Sequence, residues 1–390
     1  MSETLRPAPV DDQQETLILQ SVDRFLQREV RPFVRDLDAA DTYPSAMADK
    51  LAEMGLFGAT IAPEHGGLGL PALTYARMIE RMSAVWISVP GFINSHLIMA
   101  AAVQRYGTES QQHRWLPRFA RGELRGGIGL TEPDCGTDLQ AIRTTARREG
   151  DHYIVNGAKM WITNSAEGQV LAVLVKTDPK AQPAHKGISL LLIEKGPGFK
   201  VVRKLDKLGY RGIDTAELVF EDCRVPADNL IGPLEGRGLQ QILNGLELGR
   251  INVAARGAGL ARACLEEALA YAQQRKTFGK PIAEHQAIQI KLADMATRVE
   301  AARLLVESAA RAYDSGVRCD MEAGMAKLFA TEAALENSLE AMRIHGAYGY
   351  SKEFNIERYY RDAPLLAIGE GTNELQRIII ARELVKRNPV

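Results

Sequence analysis

Residues 152–164 read HYIVNGAKMWITN, and the fold turns on them. Asn156-Gly157 tolerates the positive φ of a type I′ turn, so HYIV and AKMWIT read as the two arms of a hairpin. Around this pair, from 126 to 230, the apolar runs are short and β-rich, notably 170–175, 188–193 and 216–220. Pro226 and Pro233 close the section. Upstream the period is helical. Ile18, Val22, Phe25, Leu26 and Val30 recur at helical spacing before Pro32 and Pro44, and 115–121 leads into Gly122, Gly126, Gly127 and Gly129, where the pattern changes. Downstream, amphipathic helices are predicted over 239–275, 284–315, 320–344 and 372–387. Helices, a compact β unit and then a four-helix set predict an α+β fold, divided at 1–125, 126–232 and 233–390.

The 390 residues carry 48 basic and 49 acidic side chains, so neither nucleic acid nor an anionic membrane is expected as the main partner. Hydrophobic content of 46 % with 25 % charged residues is globular composition. Cys135, Cys223, Cys264 and Cys319 are scattered, which fits neither a disulfide framework nor a zinc ribbon. A reducing compartment and no metal follow as expectations. The first residues, MSETLRPAPVDDQQE, are acidic without an apolar core and read as neither secretory signal nor transit peptide. The stretch 85–103 is apolar, but Pro90, Gly91, Asn94 and His96 interrupt it, predicting a buried helix with a loop and no membrane span. Together these features predict a cytoplasmic protein.

One motif is set aside. Gly67-Leu68-Gly69-Leu70-Pro71-Ala72 matches a relaxed dinucleotide pattern, but no strand precedes it and Pro71 stands where the helix should open. Four other segments carry chemistry. TEPDCGTD (131–138) gathers backbone N–H groups at Gly136 and the Thr137 hydroxyl, equipment for a phosphate or a flavin edge, although such turns are more often structural. WITN (161–164) puts an indole and the Thr163 hydroxyl on one side of a strand, which also suits core packing. RKTFGKPIAEHQ (275–286) lies between two long helices, and a helix C-terminus alone would explain Arg275. RDAPLLAIGEGTNELQR (361–377) holds Glu370 between two glycines, immediately before Thr372, a good N-cap. Taken alone, an exposed turn glutamate would explain it.

These four segments, in this order, resemble the acyl-CoA dehydrogenase family of flavoenzymes. The likeness runs along the chain and includes EMGLFGATIAPEHGGLGL (53–70) and KLGYRGIDTAELVFEDCRVP (207–226). It implies an N-terminal helical domain, a middle β-barrel-like domain and a C-terminal four-helix bundle. It further implies a homotetramer with one non-covalent FAD per subunit, an acyl-CoA substrate, and an electron-transferring flavoprotein as electron acceptor. By the same resemblance, Leu130, Thr131, Trp161 and Thr163 surround the isoalloxazine, and Gly136 and Thr137 meet the pyrophosphate and the start of the acyl-CoA chain. Arg275, Phe278 and Gln286 reach a neighbouring subunit's FAD, with Thr372 and Glu374 near its other end. Glu247 and Arg250 fall where the family touches pantetheine, and Arg382 near the CoA nucleotide. Glu370 falls on the catalytic base. It takes the α-proton of the thioester, while its backbone N–H and a flavin ribityl hydroxyl bind the thioester oxygen. Gly371 completes the glycine pair beside it. Some members carry the base on the bundle helix instead, where this chain has Gly249.

Several positions depart from the family pattern. Gly369 stands where an aromatic residue often precedes the base, which predicts a wider cavity and a short, branched or cyclic acyl group. Arg343 and Ala347 occupy FAD-contact positions where Gln and Gly are common. Cys135 has no partner that would make it a nucleophile. SVPGFINSHLIM (88–99) lacks the arginine of glutaryl-CoA dehydrogenases, so a dicarboxylic acyl group is not expected. Alternatives are a same-fold oxidase, a decarboxylating enzyme, an enzyme of carrier-protein thioesters, or a flavin-free assembly factor.

Overall fold

The computed structural model describes residues 10–389; the reading of the N-terminal segment falls largely on residues 1–9, outside them. Among the described residues six α-helices come first: α1 (Asp12–Phe25), α2 (Val34–Ala40), α3 (Ser45–Glu53), α4 (Ala72–Val85), α5 (Val89–Tyr106) and α6 (Glu109–Ala120). Capping boxes start α1 at Asp11 and α6 at Thr108, each answered by a Gln three residues on. The apolar stretch at 85–103 holds a buried helix and a short loop, but the loop is at 86–88, and Pro90, Gly91, Asn94 and His96, expected to interrupt the run, lie inside α5. α4 ends at Val85, and α5 is buried along nearly its whole length because both the β section and the C-terminal helices lie against it. No helix among the described residues is long and apolar enough to cross a membrane. The set-aside glycine motif is a turn, with Gly66 and Gly69 at positive φ and no strand before it.

Seven strands follow: β1 (Gly126–Gly129), β2 (Thr145–Glu149), β3 (His152–Thr163), β4 (Val170–Lys176), β5 (Ile188–Glu194), β6 (Phe199–Lys204) and β7 (Thr215–Pro226). They make one sheet in the order β1-β4-β2-β3-β7-β6, with β5 along β4. β4 and β5 are buried on both faces. Leu171, Val173, Leu191 and Ile193 fill the inside of the sheet, while Val170, Ala172, Leu190 and Leu192 join the core shared with the helices. This double burial explains their unbroken apolar runs.

The hairpin expected at Asn156-Gly157 is not there. β3 runs through both residues, and the actual turn is at Gly150-Asp151, between β2 and β3. The Asn-Gly pair instead makes a bulge against β7, with Gly157 at φ 147°. A Cβ on Gly157 would lie 2.5 Å from the Thr144 hydroxyl, so close approach, and not a turn, requires the glycine.

The chain ends in helices: α7 (Gly238–Gln274), a two-residue hairpin β8 (Lys276–Thr277) and β9 (Lys280–Pro281), then α8 (Gln286–Asp314), α9 (Asp320–His345), α10 (Ile356–Ile368) and α11 (Asn373–Arg387). The four predicted helices match α7, α8, α9 and α11 to within two residues. Sequence reading missed α10, because Pro364 sits inside it and the preceding run is charged. α10 matters because the residues after it include Glu370, whose carboxylate lies against Gly249 of α7.

Candidate active site

Glu370 lies in the short turn between α10 and α11. Its φ is 53°, a left-handed value unusual for a glutamate, and Gly371 follows at 87°. Gly369 differs. Its φ is −68°, and an added Cβ would meet nothing closer than the Leu365 carbonyl at 3.3 Å. The glycine before the base is therefore not imposed by backbone geometry. Gly371 is, since a Cβ there would lie 2.9 Å from Gln376 as well.

The Glu370 carboxylate points inward. One oxygen accepts from the Asn94 amide on α5, and Oε2 is buried with no partner. Across from it is Gly249 of α7, where a Cβ would lie 2.2 Å from Oε2 and 2.9 Å from Ile98. The two alternative positions for a base thus occupy one space, and a side chain at 249 excludes the carboxylate from 370. Burial pushes the Glu370 carboxyl above the ordinary carboxylate range, against Arg256, the Asn94 hydrogen bond, Lys327 and Arg250, which pull it down.

Lys327 of α9 holds the turn from beneath. Its side chain is 0 % exposed, and Nζ donates to the carbonyls of Ala367 and Gly371 at 3.1 and 2.9 Å and to Asn373 Oδ1 at 2.8 Å. One ammonium therefore ties the chain on both sides of Glu370. Burial brings Lys327 down to about 8, with Glu370, Glu374 and Glu332 opposing the shift. Thr372 caps α11 by accepting from the Leu375 N–H at 3.3 Å, as its sequence position predicts. Glu374 is exposed in the first turn, and Arg382 is exposed further along α11.

The second part of the site is on the β section. Trp161 has φ 63° at a shift in register between β3 and β7, and its indole is 59 % exposed. Leu130 is buried, and Thr131 and Thr163 are half-buried nearby. The Thr131 carbonyl accepts from the Met160 N–H at 2.9 Å, and the Leu130 carbonyl from Lys159 Nζ at 3.1 Å. Lys159 also pairs with Glu132 at 2.8 Å, and Glu132 accepts from the N–H groups of Arg143 and Thr144. This buried pair fixes the 131–138 loop, whose tip, Gly136 and Thr137, is exposed. Asn164 closes the gap to the helices by donating to the carbonyls of Gly91 and Phe92 and to Ser95 Oγ. Trp161 and Thr163 are thereby fixed beside the same turns of α5 that hold Asn94 and Glu370.

Other predicted positions lie elsewhere. Phe278 and Gly279 form the β8–β9 turn, both at positive φ, and the Phe278 ring is 97 % exposed. Arg275, Gln286, Arg343 and Ala347 are exposed, with Arg343 paired to Glu340. Arg275 stands 26 residues after Gly249 at the end of one continuous helix, about 39 Å along its axis at 1.5 Å per residue. No single small group bound at Glu370 spans that distance. Glu247 is buried and pushed up by desolvation and by Asp320, and Arg250 pairs with Asp320 at 2.9 Å.

Asn94, Arg256, Lys327, Glu132 and Lys159 were not singled out by sequence reading as functional residues. The signal was present for three. Asn94 breaks an apolar run, and Arg256 and Lys327 are single charges within INVAARGAGLA and GMAKLFA, where burial follows from the neighbours.

The match to known proteins is continuous. The acyl-CoA dehydrogenase N-terminal domain matches residues 12–123, the middle domain 127–223 and the C-terminal domain 236–385. The chain belongs to the acyl-CoA dehydrogenase family. It is 39 % identical to an acyl-CoA dehydrogenase of Bacillus subtilis, covering 96 % of this chain and 98 % of that one. It is 40 % identical to the acryloyl-CoA reductase (NADH) of Anaerotignum propionicum over 93 % and 92 %. The butyryl-CoA dehydrogenase of Megasphaera elsdenii superposes with a TM-score of 0.93 at 35 % identity, covering 97 % and 99 %. This family is one of oxidoreductases and flavoproteins, and its helical, curled-sheet, helical architecture is the one found in this chain.

Proposed function

We propose that this chain dehydrogenates an acyl-CoA thioester between its α- and β-carbons, with Glu370 as the base. The carrying observation is the inward, partnerless Oε2 of Glu370 opposite Gly249, an acceptor buried without a proton to take. The residues present suit FAD. An exposed indole on a strained bulge offers a face to a flat ring, and Thr131 and Thr163 offer hydroxyls to its edge. Gly136 leaves open space beside the 131–138 loop, where a Cβ would meet only Thr131 at 3.8 Å. When bound, FAD supplies the acceptor for the hydride leaving the β-carbon. The chain supplies everything else. Glu370 Oε2 would receive the α-proton, the Glu370 N–H would bind the thioester oxygen, and Glu247, Arg250 and Arg382 would contact CoA. The same base returned to its acid form would serve the reverse reaction, a reading favoured by the similarity to the acryloyl-CoA reductase.

A homotetramer in the cytoplasm, passing electrons to an electron-transferring flavoprotein, completes the proposal. Its support is the 39 Å separation, which leaves Phe278 and Arg275 to serve a neighbour's cofactor. Arg275→Ala should lower flavin content after dilution and tetramer stability together, because a ligand that binds only the assembled state stabilises it. Sizing and flavin absorbance check this, and a variant that keeps both would make the loop a mere helix connection. Purified protein should be yellow, and its flavin should bleach anaerobically with acyl-CoA thioesters. A colourless protein would favour the assembly factor.

Gly369 bears on the acyl group. Because its φ suits any residue, Gly369→Tyr should fold and fill space beside the reacting carbons. Overpacking of about 1–3 kcal/mol predicts roughly a 5- to 150-fold loss of kcat/KM for isobutyryl-CoA, with butyryl-CoA affected less. An unchanged ratio of the two substrates would remove the argument for a branched chain.

A further inference from the structure

One face of α7 carries Gly249, Asn252 and Arg256 at helical spacing. Arg256 is 3 % exposed. Its Nε donates to Asn252 Oδ1 at 2.8 Å and Nη1 to the Tyr210 hydroxyl at 3.2 Å, while Asn252 is satisfied in turn by donating to Tyr75 at 2.7 Å. The other terminal nitrogen, Nη2, is buried with no partner. Tyr210 accepts from Arg256, so its own O–H remains to be donated. A guanidinium N–H left unpaired away from water is costly, and folding alone does not require it. Side chains on a helix lean toward its N-terminus, and the bond from Nε back to Asn252 shows that Arg256 does so. The guanidinium therefore reaches toward Gly249 and Glu370, and Arg256 is the foremost charge acting on that carboxylate.

The charges around the base do not cancel. Those acting on Glu370 are Arg256 and Arg250 from α7 and Lys327 from α9, while α5 contributes only the neutral Asn94 amide. Arg250 is matched by Asp320. Lys327 is bonded to two carbonyls and an amide oxygen, none of them charged. Lys327 is also acted on by Glu374 and Glu332, which leaves Arg256 as the buried cation with an N–H and no second anion to meet it. Buried charges require partners, so the space asks for one further anion.

We propose that the substrate's acyl group ends in a carboxylate, which seats on Arg256 Nη2 and the Tyr210 hydroxyl. The class is a short dicarboxylic acid held as its mono-thioester. This rests on the reading of Glu370 as the base, and it replaces the expectation drawn from the absence of arginine in residues 88–99, since the cation comes from α7. The length follows from the geometry. Arg256 is seven residues, about 10 Å, beyond Gly249 along the axis, and its side chain leans back over much of that distance. A separation of that order suits a short diacid. The carboxylate is an anchor only. The α-proton still goes to Glu370 and the hydride still leaves the β-carbon.

The test uses purified holoenzyme with ferrocenium as electron acceptor and five probes: butyryl-, isobutyryl-, succinyl-, methyl-branched succinyl- and glutaryl-CoA. The wild-type enzyme should favour a diacid thioester over its apolar counterpart by about 100-fold or more in kcat/KM. Arg256→Gln should remove most of that ratio, and Tyr210→Phe should lower it by a smaller factor. If Arg256 served only as counter-ion to Glu370, all five probes would fall in parallel and the ratio would hold, which overturns the proposal. So would a wild-type preference for butyryl-CoA. Should Arg256→Gln not fold, Arg256→Lys and Tyr210→Phe carry the comparison, together with the wild-type preference itself. Calorimetric binding of succinyl- and butyryl-CoA to the Glu370→Gln protein separates the two readings. If no thioester bleaches the wild-type flavin, the dehydrogenase reading fails, and the binding preference alone still decides whether a carboxylate is recognised.

Discussion

Glu370→Gln should retain flavin and lose roughly 10²–10⁴-fold in kcat, the usual weight of a positioned general base. The amide is isosteric, so it keeps the turn at φ 53° and the contact with Asn94. What it loses is the basic Oε2 that faces the space beside Gly249. Stopped-flow bleaching with a saturating thioester measures the effect. Retention of more than about a tenth of the wild-type rate, a barrier change under roughly 1.4 kcal/mol, would require another base.

The pH profile of the unmutated enzyme offers an independent check. Burial raises the Glu370 carboxyl above the ordinary range. The base works only when ionised, so kcat/KM should rise with pH through that raised value. The low-pH limb must therefore lie above the range of an exposed glutamate. A profile already flat down to the ordinary carboxylate range would mean that the titrating group is solvated, and hence not Glu370 as it stands here.

How much of this was legible in the sequence depended on whether a signal was local. The long helices announced themselves through period alone, and their ends are right to within two residues. Glu370 and Trp161 were named from short motifs and Phe278 through the family resemblance, and all three sit at positive φ, where strain marks a site. The Asn156-Gly157 turn was misread because the same permissive residues serve a bulge as well as a hairpin, and the choice is made by Thr144, thirteen residues before Gly157 in sequence. Arg256, Asn94 and Lys327 were passed over for a related reason. Each owes its role to a partner more than 40 residues away, and pairings of that range leave no local pattern. Their one trace is a polar residue in an apolar run.

Lys327→Met is the sharpest test of how the base is held. The thioether is close in length, so packing survives, but the Ala367 and Gly371 carbonyls and Asn373 Oδ1 lose a donor. Each unsatisfied buried acceptor costs about 1–3 kcal/mol, partly offset by no longer burying an ammonium, so a net loss on the order of 3 kcal/mol in unfolding free energy is expected. The effect on turnover should be about 100-fold, since the left-handed Glu370 is kept in place only by its surroundings. Two pH signatures separate this from a generic packing defect. The lysine's charge also draws the carboxyl of Glu370 down, so its removal should move the low-pH limb of kcat/KM to higher pH. Stability carries the second. Lys327 is lowered from 10.5 to about 8 in the folded chain. Between those values the unfolded chain binds the extra proton, so wild-type stability should gain as pH climbs from 8 to 10.5. The methionine variant should lack that gain. If it shows the same rise, and its activity limb stays in place, Lys327 is a packing residue, and the turn around Glu370 is held by α10 and α11 alone.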